Sequence, residues 1–188
     1  MMRSLFASVL ICALAVIVLA LVWSASPAST VRAEPDQPQA VYIVTLTTDP
    51  APNGCAVGGC SLREAVIAAN ANPGSTIRFT HGAIYNLTIA ASGSDDATTG
   101  DLNITADTSF DFGNVICMND CGATIQGGGS WADRIMRVES GAHVSMYNVT
   151  FRKGNTQGTG GAIQVYSNAV LTLTSATVTG NFAYDSGG

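Results

Sequence analysis

Two segments near the end of the chain repeat each other. Val144-Ser145-Met146, Val149-Thr150-Phe151 and Gly154-Asn155 return 26 to 27 residues later as Leu171-Thr172-Leu173, Ala176-Thr177-Val178 and Gly180-Asn181. Gly160-Gly161 returns at the same offset as Gly187-Gly188. A period in this range marks architectures in which each unit stacks on its neighbour. Within each unit apolar residues alternate with Thr, Ser or Asn, the period of a strand with one buried face. One such unit cannot bury its apolar face alone, so stacking must supply the core. The repeat therefore predicts an all-β fold of stacked parallel β-helix coils. A β-sandwich would use longer strands joined by hairpin turns and would not repeat at this offset. The last unit stops on Gly188, where the one before it ran on into Ala162-Ile163-Gln164-Val165, so further coils are expected beyond it.

The rest of the 188 residues is read around that array. Met1 to Ala33 has the form of an export signal: Arg3, an apolar run from Leu5 to Val22, and Val31-Arg32-Ala33 before Glu34. The run is long enough that an uncleaved membrane anchor is the alternative. Cys12 belongs to this run. Residues 34–40 read as a linker, 41–80 as an N-terminal cap and 81–188 as coils. Export places the domain outside the cell or on its surface. Without Arg3 and Arg32, 6 basic residues face 13 acidic ones, a formal charge of −7, with no basic cluster larger than Arg152-Lys153. Nucleic acid is thereby excluded as a partner. In an exported chain Cys55, Cys60, Cys117 and Cys121 predict two disulfides, and four cysteines allow three pairings. The short loops favour Cys55 with Cys60 and Cys117 with Cys121; neither spacing suits a thiolate zinc site.

One helix is expected, over Ser61 to Asn70. Ser61 and Glu64 form the capping box S-x-x-E, and Leu62, Ala65, Val66 and Ala69 share one face. Asn70-Ala71-Asn72-Pro73-Gly74 ends it, with Asn and Gly tolerant of left-handed dihedrals. A single helix ahead of a β array suggests a lid over its open end. Strands are expected at 42–47, 76–79, 84–89, 102–104, 110–112 and 124–126, with a protruding loop at 91–100 and a sharp turn at Gly127-Gly128-Gly129.

Cys60-Ser61-Leu62-Arg63-Glu64-Ala65, with Cys55 before it and Ala69-Asn70-Ala71-Asn72-Pro73-Gly74 after it, resembles the CSLREA-domain signature. The resemblance implies a secreted bacterial protein with a right-handed parallel β-helix, the helix capping its end. A looser likeness runs from about Val41 through Gly100-Asp101-Leu102-Asn103-Ile104-Thr105 and Gly160-Gly161-Ala162-Ile163. It implies an architecture more than an activity. In a bacterial protein the triplets at Asn86, Asn103 and Asn148 would not be glycosylated.

Parallel β-helix polysaccharide lyases are similar in fold and use Asp-bound calcium beside a basic residue. Asp95, Asp96 and Asp101 are the candidate calcium carboxylates, but their spacing matches no calcium motif and solvated loop charges are the simpler reading. Arg134, Arg137, Arg152 and Lys153 are the available bases, and no motif links them to an acidic cluster. His81 and His143 lack a nucleophile partner, so no triad is expected. Tyr147 and Tyr166 alternate with apolar residues, which leaves two readings: ordinary packing residues, the commoner role, or an exposed sugar-stacking ladder. No catalytic residue, resident cofactor or metal is assigned. The expected role is structural, adhesive or ligand-contacting, with an extracellular polysaccharide or cell-surface ligand as partner and membrane contact only through an uncleaved leader. A pectin-lyase-like lyase or hydrolase with its groove on other coils is the alternative.

Overall fold

A computed structural model describes residues 39–55, 59–93, 96–113 and 122–187. The expected leader, most of the linker, Asp95 and the Cys117/Cys121 pair lie outside these residues.

The fold is mostly short strands in parallel sheets, with one helix. The strands are β1 (Val41–Ile43), β2 (Ser75–Arg78), β3 (Ile84–Leu87), β4 (Leu102–Ile104), β5 (Thr108–Asp111), β6 (Ala123–Gly127) and β7 (Met136–Val138). They continue with β8 (His143–Tyr147), β9 (Val149–Arg152), β10 (Asn155–Thr156), β11 (Ile163–Val165), β12 (Val170–Thr174), β13 (Thr177–Val178) and β14 (Phe182–Ala183). A five-stranded sheet runs β1-β2-β5-β8-β12, a four-stranded one β3-β6-β9-β13, and a three-stranded one β4-β7-β11. From β2 onward the chain visits these three in fixed rotation, with the small pair β10-β14 interposed late.

Like residues stack across the ladders. Ile77, Phe110, Met146 and Leu173 form one column, and Tyr85, Ile125, Phe151 and Val178 another. Leu102, Met136 and Ile163 form a third. Apart from the exposed Val178, the columns meet in one apolar core among the described residues. In β2, β5, β8 and β9 the intervening residues are more exposed, so these parallel strands alternate, unlike doubly covered parallel sheets whose strands are apolar throughout. In β4 and β7 the intervening Asn103 and Arg137 are buried as well. The side chains of β12 and β13 are more exposed than those of β8 and β9.

The 27-residue offset is written into the backbone. Positive φ recurs at Gly141 and Asn168, Asn148 and Ser175, Lys153 and Gly180, and Gly160 and Gly187. Left-handed residues at fixed places turn each strand into the next, and three of these eight are filled by Asn or Ser. The ladder also corrects the sequence alignment by one residue. Gly154 sits opposite Asn181, not Gly180: its amide donates to Asn181 Oδ1 at 2.9 Å, and Asn155 pairs with Phe182. Lys153, with φ 58°, is the partner of Gly180.

The helix α1 (Leu62–Asn70) packs against β1, β2 and β4. Leu62, Ala65, Val66 and Ala69 are buried as their spacing predicts. Ala71 ends it in right-handed conformation, and the left-handed residue is Gly74, at φ 82°. Other expectations shift. The first strand is only β1, because the chain then bridges from Leu46 to Ser61. Gly127 is a strand residue; an added Cβ there would strike the Trp131 ring, and only Gly129 of the triplet has positive φ. The segment 91–100 does not simply protrude: Ala97 and Gly100 are buried beneath α1's Arg63.

Candidate functional site

The first cluster grows from the start of α1. Ser61 Oγ accepts the Glu64 amide at 3.3 Å, and Glu64 Oε2 accepts the Ser61 amide at 2.8 Å, completing the box. Glu64 Oε1 also accepts the amide of Asn53 at 2.9 Å. Between them Arg63 turns inward, with its side chain 0% exposed and that of Asp49 2% exposed. Its Nε and Nη2 grip the Asp49 carboxylate at 2.8 and 3.0 Å, while Nη1 donates to Ala97 O at 2.9 Å and Nη2 also to Gly100 O at 2.8 Å. Asp49 in turn accepts the amides of Thr88 and Ile89. The pair thus ties α1 to three separate chain segments. Arg suits this role because its planar fork offers several fixed donors without losing charge. This is a structural latch, since every polar atom of the pair faces protein.

Cys55 and Cys60 are joined, with Cα atoms 4.4 Å apart. The bridge ties Cys55 to the residue just before the capping box, while Cys60 O accepts the amides of Thr45 and Leu46. Replacing both cysteines by Ser should lower stability by about 2 kcal/mol, the loop-closure value for so short a ring. Urea unfolding without reductant measures it.

Glu64 gives the latch a pH signature. Burial pushes its carboxyl up, but hydrogen bonds from the amides of Asn53 and Ser61 and from the Ser61 hydroxyl outweigh that and hold it below the usual carboxylate range. A folded-state pKa below the unfolded one adds stability above the unfolded value of about 4.3, and that stability is lost as pH falls through the folded value. The urea midpoint should therefore drop on acidification below about pH 4.3. Glu64→Gln should flatten that part of the profile.

A second cluster lies on the outer side of the three-stranded sheet. Asp101 is 3% exposed and meets Arg134 Nη1 at 3.1 Å and Arg137 Nη2 at 3.5 Å. Arg137 also reaches Glu139 at 3.3 Å and lies over the Tyr166 ring, 5.8 Å from its centre. Asp133 Oδ2 accepts the Asp101 amide at 3.0 Å. Burial, then the Asp133 charge, push the Asp101 carboxyl up, against the pull of the two arginines. Asn103, beside Arg137 in the ladder, is buried with neither side-chain polar atom hydrogen bonded. The sequence links these bases to no acidic cluster, yet the fold brings them together. The partners lie 33 and 36 residues apart, so no local motif carries the signal.

The outer faces of the larger sheets carry paired rows. Arg152 Nε donates to Gln126 Oε1 at 2.7 Å, and Gln126 Nε2 to Asn86 Oδ1 at 2.6 Å. Arg78 pairs with Asp111 at 3.0 Å, and the Thr76 and Ser109 hydroxyls meet at 3.0 Å. His143 Nδ1 stands 3.0 Å from Asp107 on the exposed surface. His81 lies against Phe112, with ring centres 4.9 Å apart. Tyr147 and Tyr166 do not form one ladder: Tyr147 ends β8 in the five-stranded sheet, and Tyr166 follows β11 in the three-stranded one. Asp96 accepts the amide of Thr98, while Asp101 is held by arginines, so the two described calcium candidates share no site. Among the described residues no group of three or more His, Cys, Asp or Glu side chains could hold a metal ion.

No family model, no curated protein and no solved structure matches the chain.

Proposed function

We propose that the chain is an exported right-handed parallel β-helix of the CSLREA-like kind, with α1 as the lid on one end. Its role is that of a rigid, non-catalytic scaffold outside the cell, whose outer faces contact polysaccharide or another surface ligand. The rotation of the chain among three parallel sheets supports the architecture, because such a rotation winds the chain about an axis. The Cys55–Cys60 bridge fits an oxidising compartment. One observation carries the functional reading: outward polar side chains are spent on each other across neighbouring strands, as in Asn86-Gln126-Arg152. Such ladders stiffen a surface and present it to a ligand, and their side chains are engaged with one another instead of being held ready for proton transfer.

A second reading, a pectin-lyase-like enzyme, draws on Asp101 meeting Arg137 of β7 and Arg134 just before it. The arginine side chains are 14% and 10% exposed and already paired, which favours the scaffold. The test is to incubate the purified chain with neutral, amino-sugar and uronate polysaccharides. Measured together are retention on the polymer and release of new chain ends. Retention without new ends is expected. Steady production of unsaturated or reducing ends, abolished by Arg137→Ala, would overturn the scaffold in favour of the enzyme.

A further inference from the structure

A cavity of about 170 Å³ opens where the chain leaves β3 and β6. Thr88, Ala91, Ser130, Trp131, Ala132 and Asp133 line it. It is smaller than the roughly 300 Å³ at which drug-sized pockets begin, so it suits one ring-sized group.

Its walls are fixed before any ligand arrives. The Trp131 indole N–H donates to Arg134 O at 3.1 Å, and the ring packs over Gly127, where no side chain would fit. The Gly128 amide donates to Leu87 O at 2.9 Å, which joins the two sides of the cavity. Asp133 is aimed by the backbone: its Oδ1 accepts the Arg134 amide at 2.8 Å and its Oδ2 the Asp101 amide at 3.0 Å. The neighbouring guanidinium of Arg134 is committed to Asp101, and Asp133 forms no ion pair among the described residues. The lining thus holds one carboxylate, two hydroxyls, alanine methyls and an indole, and no cation.

We infer that this cavity binds one amino-sugar unit of an extracellular glycan. The inference rests on the ligand-contacting reading above and gives it a site. The ammonium group meets the Asp133 carboxylate beside an aromatic ring, two features that each favour a cation. Thr88 and Ser130 exchange hydrogen bonds with ring hydroxyls, and the methyls and indole take the C–H face. A uronate would bring a second negative charge to a site without a cation, and acetylation would remove the ammonium.

The test is calorimetric titration of the whole chain with a β-1,4-linked glucosamine tetramer, beside its N-acetylated form, a galacturonate tetramer and a lysine-rich peptide. Trp131 fluorescence is followed in parallel. Saturable binding of the glucosamine tetramer is expected, at least about tenfold tighter than its N-acetylated form, with a change in Trp131 emission. Asp133→Asn and, independently, Ala91→Phe should each weaken it about tenfold or more. Ala91 is exposed, so its replacement fills the mouth of the cavity from outside. Binding that survives both substitutions in folded protein would overturn the cavity and leave the scaffold standing. Preference for galacturonate, or equal binding of the lysine peptide, would overturn the amino-sugar class. Failure to bind any glycan, oligomer or polymer, would overturn both readings.

Discussion

Arg63→Met should unfold with a stability about 3–5 kcal/mol below that of the native chain, the cost of leaving a buried partner charge alone. Asp49 would keep its Thr88 and Ile89 amides but lose both guanidinium contacts, while Ala97 O and Gly100 O would lose their donors. Methionine preserves much of the volume, so the loss reports charge and hydrogen bonding more than packing. Adding Asp49→Leu should recover part of it, because replacing both members of a buried pair costs less than removing one. Urea unfolding of the four proteins in the cycle gives the coupling directly. A single-mutant loss under about 1 kcal/mol would show that the latch is replaceable by water. Arg63→Lys should fall between, since one ammonium cannot hold a carboxylate side-on and two carbonyls as well.

Gly154→Ala should be comparably damaging for a different reason. The new methyl would be driven into the carbonyl oxygen of Gly161, with Ala162 Cα only 3.2 Å away. Neither obstacle is a side chain that can swing aside, so the backbone at Gly154 and the backbone at Gly161-Ala162 must separate. Overpacking of this kind costs about 1–3 kcal/mol where side chains adjust, and the backbone obstacle places this case at or above the upper end. Gly158→Ala is the control four residues on: its nearest neighbour would be Arg134 Nη2 at 3.6 Å, an ordinary contact. Its thermal midpoint should stay near native, while that of Gly154→Ala falls by many degrees.

The 27-residue repeat is legible in sequence because both its units keep the alternation and the corner residues. The earlier strands are less legible, since the separation across the ladder reaches 33 between Thr76 and Ser109 and 40 between Asn86 and Gln126. Met136–Val138 has three residues in its strand and Asn155–Thr156 two, too few to establish a period. The capping box reads locally and so emerges intact. Arg63 does not: alternation in a helix says which face is apolar, and cannot say that a distant Asp49 will draw a charge into the interior. Asp101 with Arg134 and Arg137 fails for the same cause, a meeting set by ladder register and not by spacing along the chain. Gly127 reads as a turn glycine because its real constraint, the Trp131 ring above it, arises only after folding.

The uneven ladder separations also bear on how such a chain can change in length. Strands in register here are linked by as few as 26 and as many as 40 residues, and the pairing is parallel throughout. Lengthening a closed loop over that range adds only about 0.4 kcal/mol of closure entropy. Insertions and deletions at the corners are therefore nearly silent to the strands, whereas a one-residue slip within a strand turns its core side out. Length variation among descendants of such a chain should concentrate between strands, leaving the stacked columns free to vary only in side-chain volume.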